Sequence, residues 1–443
     1  MTNLESRHTA VAEESEQVVL SQMLSEKKTA YEIMTRLDAD DFYSTFHRRL
    51  FVCTQKTLIE HDTMEIESII STSKKIPDSE FGELLPHHFS AEYMTPRIAW
   101  KMHVDNVVNA SLLRKFDATC RALAEKSREP GISYDDVRAD MMARLMEAPK
   151  KKSSGALLKD VTGEHLTALE TARTQKTLPG ITYPFRKLNT MTAGMMAGQF
   201  ILFAGRPSQG KSTVTRTVAV FAASLGIPVD YRSYEDTIDT FLKRTSATLA
   251  NVPLGVMFDP RKLTDEQLAR VKKAYAQIEK LPIIISDNSD LNCDELFFDV
   301  YATKMRHNTG LVVQDYLQLL DVPKDRRAKD SRHLEVSYIS QSLKRLASTL
   351  KIPVIAVSQL GRDVERRKSR LPELQDLRDS GSLEQDADVV GLVFRPGFYF
   401  KTASVNDFKI IVAKQRNGPI GTVPIYCDMQ IGLLRDVDEE LGF

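Results

Sequence analysis

The stretch "GRPSQGKST", Gly205 to Thr213, spaces two glycines, a lysine and a hydroxyl as G-x4-G-K-[ST]. Every residue type in it suits the holding of a phosphate chain. Gly205 and Gly210 let the backbone turn its N–H groups inward, and a helix starting behind them points its positive end at the same spot. Lys211 neutralises the β and γ oxygens, and Ser212 offers a hydroxyl to Mg²⁺. Arg206, Pro207, Ser208, Gln209 and Thr213 complete the loop around the phosphates. The apolar run "QFILFA" before it and "VTRTVAVFAASL" after it supply the strand and helix that the motif needs, so ATP with Mg²⁺ is the expected ligand.

A metal held by Ser212 needs a carboxylate as well, and in ATPases of this kind it stands at the end of another apolar strand. Asp315 in "LVVQDY" meets that description, although Gln314 interrupts the apolar run just before it. Hydrolysis also needs a group that orients or deprotonates water. Glu235 in "YRSYED" follows the next expected strand and is assigned that role, with Asp236 as its rival. Two basic runs follow the strands that end near Asp315 and Gln359: "KDRRAKDSR", Lys324 to Arg332, and "GRDVERRKSR", Gly361 to Arg370, which includes Arg362, Arg366 and Arg367. Loops leaving the carboxyl ends of parallel strands share one edge of the sheet, so both runs can meet a phosphate backbone and grip it without reading sequence. Tyr316 is the one aromatic near them, which argues against a grip dominated by base stacking. The acidic "SLEQDADVV", with Glu384, Asp386 and Asp388, reads as a helix or loop cap and not as a second metal site.

The elements that must position these residues are legible as texture. From Gln199 onward, "QFILFA", "IPVDYRS", "LPIIIS", "GLVVQDYLQLL" and "IPVIAVSQ" alternate with amphipathic helices, the pattern of an α/β domain whose parallel sheet is covered on both faces. "ADVVGLVF", "FKIIVAK" and "TVPIYCD" follow with short connections, so that end of the sheet can turn antiparallel. Residues 13 to 148 read as helix, with Val104, Val107, Val108, Leu112 and Phe116 at three- and four-residue steps. The expected division is an all-α amino-terminal domain over 1–149, a linker with a short docking helix over 150–180, and the α/β domain over 181–443. Pro149 and "KKKSSG", Lys150 to Gly155, mark the junction.

Charge leaves the partner question open, because 60 basic residues balance 60 acidic ones and any polyanion must be met by local patches. The four cysteines show no CxxC spacing, which fits reduced thiols and not a zinc module. With no targeting segment and no apolar run of about 20 residues, the expectation is a cytoplasmic protein that does not enter a membrane.

In order along the chain, "GRPSQGKST", "YRSYED", "VVQDYLQL", "VIAVSQLGRDVERR", "DLRDSGSLEQDADVV" and "AKQRNGPIGTV" resemble the successive motifs of DnaB-type replicative DNA helicases, within the RecA-like ATPase superfamily. "ADDFY" and "HRRLF" are similar to that family's helical amino-terminal domain. The resemblance implies a RecA-like domain, a homohexameric ring with ATP between adjacent subunits, and 5′ to 3′ movement on single-stranded DNA. It implies a primase and a helicase loader as partners. It also makes Gln359 a polar sensor, and Lys414 and Arg416 a pair of cations supplied to a neighbour's γ-phosphate, with Arg416 as arginine finger. Arg362, Arg378, Asp379 and Gly381 correspond in position to DNA-contacting residues, although many relatives carry glutamate where Asp379 stands. A filament-forming recombinase and a nucleotide-gated loader or scaffold are the alternative readings.

Overall fold

A computed structural model describes residues 2–61, 63, 65–73, 100–147, 158–174, 177–287, 291–323 and 332–437. The chain forms two compact units, Met1–Thr167 and Ala168–Phe443, and the division falls inside the helix Leu158–Thr174. The "KKKSSG" segment and the first basic run up to residue 331 lie outside the described residues.

Among the described residues the first unit contains helices and no strand. Leu20, Met23, Ile33, Leu50, Phe51, Val104 and Val107 meet in one core, and burying each such side chain contributes about 1.5–3 kcal/mol. The helix Trp100–Lys126 buries Val104, Val107 and Val108, but at Phe116 the same face is 58% exposed, so the apolar spacing outlasts the core. Glu16 ties the "ADDFY" and "HRRLF" segments together. Its carboxylate accepts from the backbone N–H groups of Tyr43 and Ser44 and lies 2.8 Å from Nδ1 of His47.

The second unit is built on one nine-stranded sheet: β1 (Phe200–Gly205), β2 (Val229–Ser233), β3 (Ile283–Ser286), β4 (Leu311–Asp315), β5 (Val354–Gln359), β6 (Val389–Phe394), β7 (Asp407–Gln415), β8 (Gly421–Asp428) and β9 (Leu433–Asp436), in the order β3-β2-β4-β5-β1-β6-β7-β8-β9. The pairs from β3 to β6 are parallel, and those from β6 to β9 are antiparallel. Side chains of β1 alternate between two cores: Ile201 and Phe203 pack with Val214 and Val218, whereas Phe200, Leu202 and Ala204 pack with Leu343 and Leu346. A strand covered on both faces must be apolar at every position, and that is why "FILFA" shows no alternation. The tail of "GLVVQDYLQLL" leaves the sheet after Asp315 and coils into a 3₁₀ turn, Leu317–Leu319. The short β9 carries Arg435 and Asp436 in only four residues, too little pattern for a sequence to announce. No helix among the described residues is long and apolar enough to cross a membrane.

Candidate functional site

Sheet order decides which residues can meet. β1, β5, β4 and β2 lie side by side and parallel, with Gly205 paired to Gln359 and Ser233 paired to Asp315. Their carboxyl ends therefore open on one edge, where the ligand crevice of an open α/β sheet is expected. A cleft of about 370 Å³ lies there, lined by Pro207, Ser208, Gly210, Lys211, Ser212, Thr213, Glu235 and Gln359.

The helix Lys211–Ser224 begins directly from this loop, with Gly210 at φ +92° in place of a side-chain cap. Any other residue would place a Cβ 2.9 Å from Cε of Met429 and 3.0 Å from the Phe408 ring, so glycine is required twice over, by backbone conformation and by space. The helix therefore presents its first N–H groups to the cleft without competition from a capping side chain. Lys211 Nζ donates to the Arg206 carbonyl at 3.2 Å. Burial pulls its pKa down, while Asp315 and Glu235 pull the other way.

Asp315 fits a metal ligand on its own geometry. Burial pushes its pKa up to about 6, against hydrogen bonds from Ser212 and Tyr231. Tyr231 Oη donates to its Oδ2 at 3.2 Å, and its Oδ1 is buried with no hydrogen-bond partner. An orphaned oxygen on a buried carboxylate, beside a serine hydroxyl, is what a dication would complete. Glu235 is exposed at the rim, while Asp236 is engaged by Arg244 at 2.5 Å, so Glu235 is the carboxylate left open to the cleft.

Several residues of the phosphate loop turn elsewhere. Arg206 directs its guanidinium out of the cleft, donating to Glu365 at 2.9 Å and to the Leu360 carbonyl at 2.8 Å, and so ties the phosphate loop to the second basic run. Gln209 is buried and accepts from the Arg395 backbone N–H. Within the run itself, Arg367 is held by Asp376, Glu373 and the Leu371 carbonyl, and Arg366 pairs with Asp363 at 3.2 Å. Arg362 is exposed and has no partner among the described residues. Arg378 and Asp379 fall in the 3₁₀ turn Leu374–Ser380, which leads into the short helix Gly381–Asp386; their side chains lie outside those described.

Lys414 and Arg416 do not line the cleft. They stand at the end of β7 beside the start of β6, where the antiparallel register sets Lys414 opposite Val390 and Gln415 opposite Val389. Arg216, Arg395 and Met429 also line the cleft, and none of them was singled out from the sequence. Arg216 had a signal, an arginine inside the otherwise apolar and small "VTRTVAVFAAS", and it is buried, with its pKa lowered to about 10 and Nη2 donating to the Gly432 carbonyl at 2.9 Å. The other two arrive from the ends of distant strands and carried none.

A strand, glycine loop and helix with Lys211 and Ser212 at the mouth, and Asp315 on a neighbouring strand end of a RecA-like sheet, define a P-loop ATPase. Residues 180–435 match the DnaB-like helicase C terminal domain, and residues 9–85 match the DnaB-like helicase N terminal domain. The chain belongs to the DnaB-like helicase family and is an ATP-dependent DNA helicase. Replicative DNA helicase DnaC of Bacillus subtilis (strain 168) is 30% identical over 424 residues, and DnaB of Geobacillus stearothermophilus 29% over 427; each match spans 93% of this chain and 91% of the relative. Among solved structures, "The Structure Of A DnaB-Like Replicative Helicase And Its Interactions With Primase" superposes with a TM-score of 0.74 at 27% identity, covering 96% of this chain and all of that one. A second solved structure, of an ATPase domain, gives 0.60 at 31% identity over 64% of this chain and all of that one.

Proposed function

We propose that this chain acts at the replication fork as a homohexameric ring that moves 5′ to 3′ along single-stranded DNA, with ATP and Mg²⁺ in each cleft and Lys414 and Arg416 reaching it from the adjacent subunit. One observation carries the reading: Lys211, Ser212, Glu235 and Gln359 share one cleft with Asp315 at its base, while the two cations that the family's motif order pairs with them are absent from its lining. Ser212 and Asp315 would hold Mg²⁺, which neutralises phosphoryl oxygens when bound. Lys211 binds the β and γ oxygens. Glu235 orients the attacking water and takes its proton, and Arg416 stabilises charge on the transferring group from across the seam. Gln359 and the Arg206–Glu365 pair link that chemistry to the loop bearing Arg362.

In this reading residues 1–149 form the helical amino-terminal domain, 150–180 the linker with its docking helix and 181–443 the motor, and Arg362, Arg366, Arg367, Arg378, Asp379 and Gly381 belong to the segments that grip the strand, Arg366 and Arg367 while paired with Asp363, Glu373 and Asp376. The similarity to a helicase solved with its interactions with primase supports primase as a partner, and the family supports a loader. On forked DNA, unwinding is expected with a 5′ tail and not with a 3′ tail. A 3′ preference would reverse the polarity, and helical filaments in electron micrographs with ATP and DNA would replace the ring by a recombinase.

Among the described residues of the second basic run, Arg362 is exposed and has no partner, which leaves its guanidinium open to a phosphate. Arg362→Ala is expected to weaken single-strand binding equally for all sequences and to reduce the salt slope by about 0.7, the counterion release of one phosphate contact on a single strand. Titration by fluorescence anisotropy at several salt concentrations measures it; an unchanged slope removes Arg362 from the grip.

A further inference from the structure

Arg416 does not hang free from the end of β7. Its backbone N–H donates to the Asp388 carbonyl at 3.0 Å, its Nε lies 3.4 Å from Oδ1 of Asp388, and its Nη2 donates to the Gln385 carbonyl at 3.0 Å. Nη1 has no partner among the described residues, and the side chain is half exposed. Lys414 rests on the same structure, its Nζ donating to the carbonyls of Glu384 and Gln385. Those carbonyls belong to the last turn of the helix Gly381–Asp386, where unpaired C=O groups attract cations.

Asp388 is the fixed point of this arrangement. It is 7% exposed, and its Oδ2 accepts from the Phe200 backbone N–H at 2.8 Å and from Lys344 Nζ at 2.5 Å. One carboxylate is thus anchored to the first residue of the strand that carries the phosphate loop and turns its other oxygen to the guanidinium. A long arginine side chain must otherwise be ordered at the moment of reaction, and a misplacement of about 1 Å can cost about 10²-fold in rate.

We propose that Asp388 is a positioning residue for the reaction: together with the Gln385 carbonyl it holds Arg416 by one edge and leaves Nη1 directed outward for the neighbouring subunit's γ-phosphate. The inference rests on the assignment of Arg416 to the seam made under Proposed function.

Asp388→Asn keeps the shape and an acceptor for the Phe200 N–H but loses the charge. It is expected to lower kcat of the assembled protein by about 10- to 100-fold with KM for ATP unchanged, while Lys344→Met, which breaks only the other ion pair, keeps normal turnover. Both lower the melting temperature, so stability alone does not imitate the result. The decisive arm is complementation. Mixed with Lys211→Ala subunits, whose own clefts are dead but whose arginines are intact, Asp388→Asn subunits should regain turnover, because their clefts are sound. Arg416→Ala subunits mixed with Lys211→Ala are run in parallel. If that control recovers and the Asp388→Asn mixture does not, the positioning role is overturned; if the control itself fails, the seam assignment is what falls. Equal losses of kcat in Lys344→Met and Asp388→Asn would likewise reduce Asp388 to a structural anchor.

Discussion

Lys211→Ala is expected to abolish ATP turnover while leaving the fold intact. Losing one preorganised donor to developing charge costs about 10²–10³ in rate, or about 3–4 kcal/mol, and here the loss is larger in kind, because the donor is a full cation. Asp315 and Glu235 both exert their negative charge at this point. Without Lys211 the β and γ oxygens lose the cation that faces these two carboxylates at the start of the helix, and the arginines elsewhere in the lining do not take its place in the phosphate loop. The fold has little reason to respond. Lys211 opens the helix Lys211–Ser224 outside its apolar core, and alanine is the best helix former. Phosphate release with and without single-stranded DNA, alongside a melting curve, measures both halves of the expectation. A variant that still turned over ATP would place the nucleotide elsewhere in the molecule.

Much of this was legible in the sequence because the phosphate loop is local: strand, loop and helix are consecutive, with Gly210 required by its positive φ and Gly205, at the end of β1, by the closeness of Val393 and Lys211. Asp315 could be found for a related cause, since a buried parallel strand is apolar until it ends and its first acid therefore marks the edge. Charge was harder to read. Arg206, Arg366 and Arg367 look equivalent to Arg362 along the chain, yet Glu365, Asp363 and Asp376 claim them through turns that composition does not reveal. A run of five basic residues consequently overstates how many are open to a polyanion. Asp388 shows the reverse. It reads as a cap before a strand, and only the pairing of β6 with β7 brings Arg416 to it, while Lys344 reaches it from the helix Arg332–Leu350. Arg395 and Met429 reach the cleft by the same kind of long-range sheet pairing, so no window of sequence around the phosphate loop contains them.

Arg416→Ala is expected to leave ATP binding within about two-fold and to lower turnover by about 10³-fold or more, the range in which a trans-acting arginine contributes to phosphoryl transfer. The separation of the two effects follows from place. Arg416 is absent from the lining of its own subunit's cleft, so Lys211, Ser212 and the helix N–H groups still take the phosphates. What disappears is a cation that matters only when charge spreads over the γ-phosphoryl oxygens, an interaction made in the transition state and hardly before it. Such a loss appears in kcat and not in the dissociation constant. Geometry within one subunit also limits the alternative. The cleft opens at the carboxyl end of β1, whereas Arg416 is seated on Asp388 and Gln385 beside the amino ends of β1 and β6. The length of β1 lies between them, at about 3.3 Å per residue, so the arginine would have to cross the sheet to serve the cleft of its own subunit. Equilibrium binding of a fluorescent, non-hydrolysable ATP analogue measures the first expectation, and steady-state phosphate release the second. Mixing with Lys211→Ala subunits then separates cis from trans. A finger that acts across the seam restores turnover to an Arg416→Ala cleft wherever an intact arginine stands beside it, so two inactive proteins together become active, whereas a finger acting within its own subunit leaves every cleft of the mixture dead.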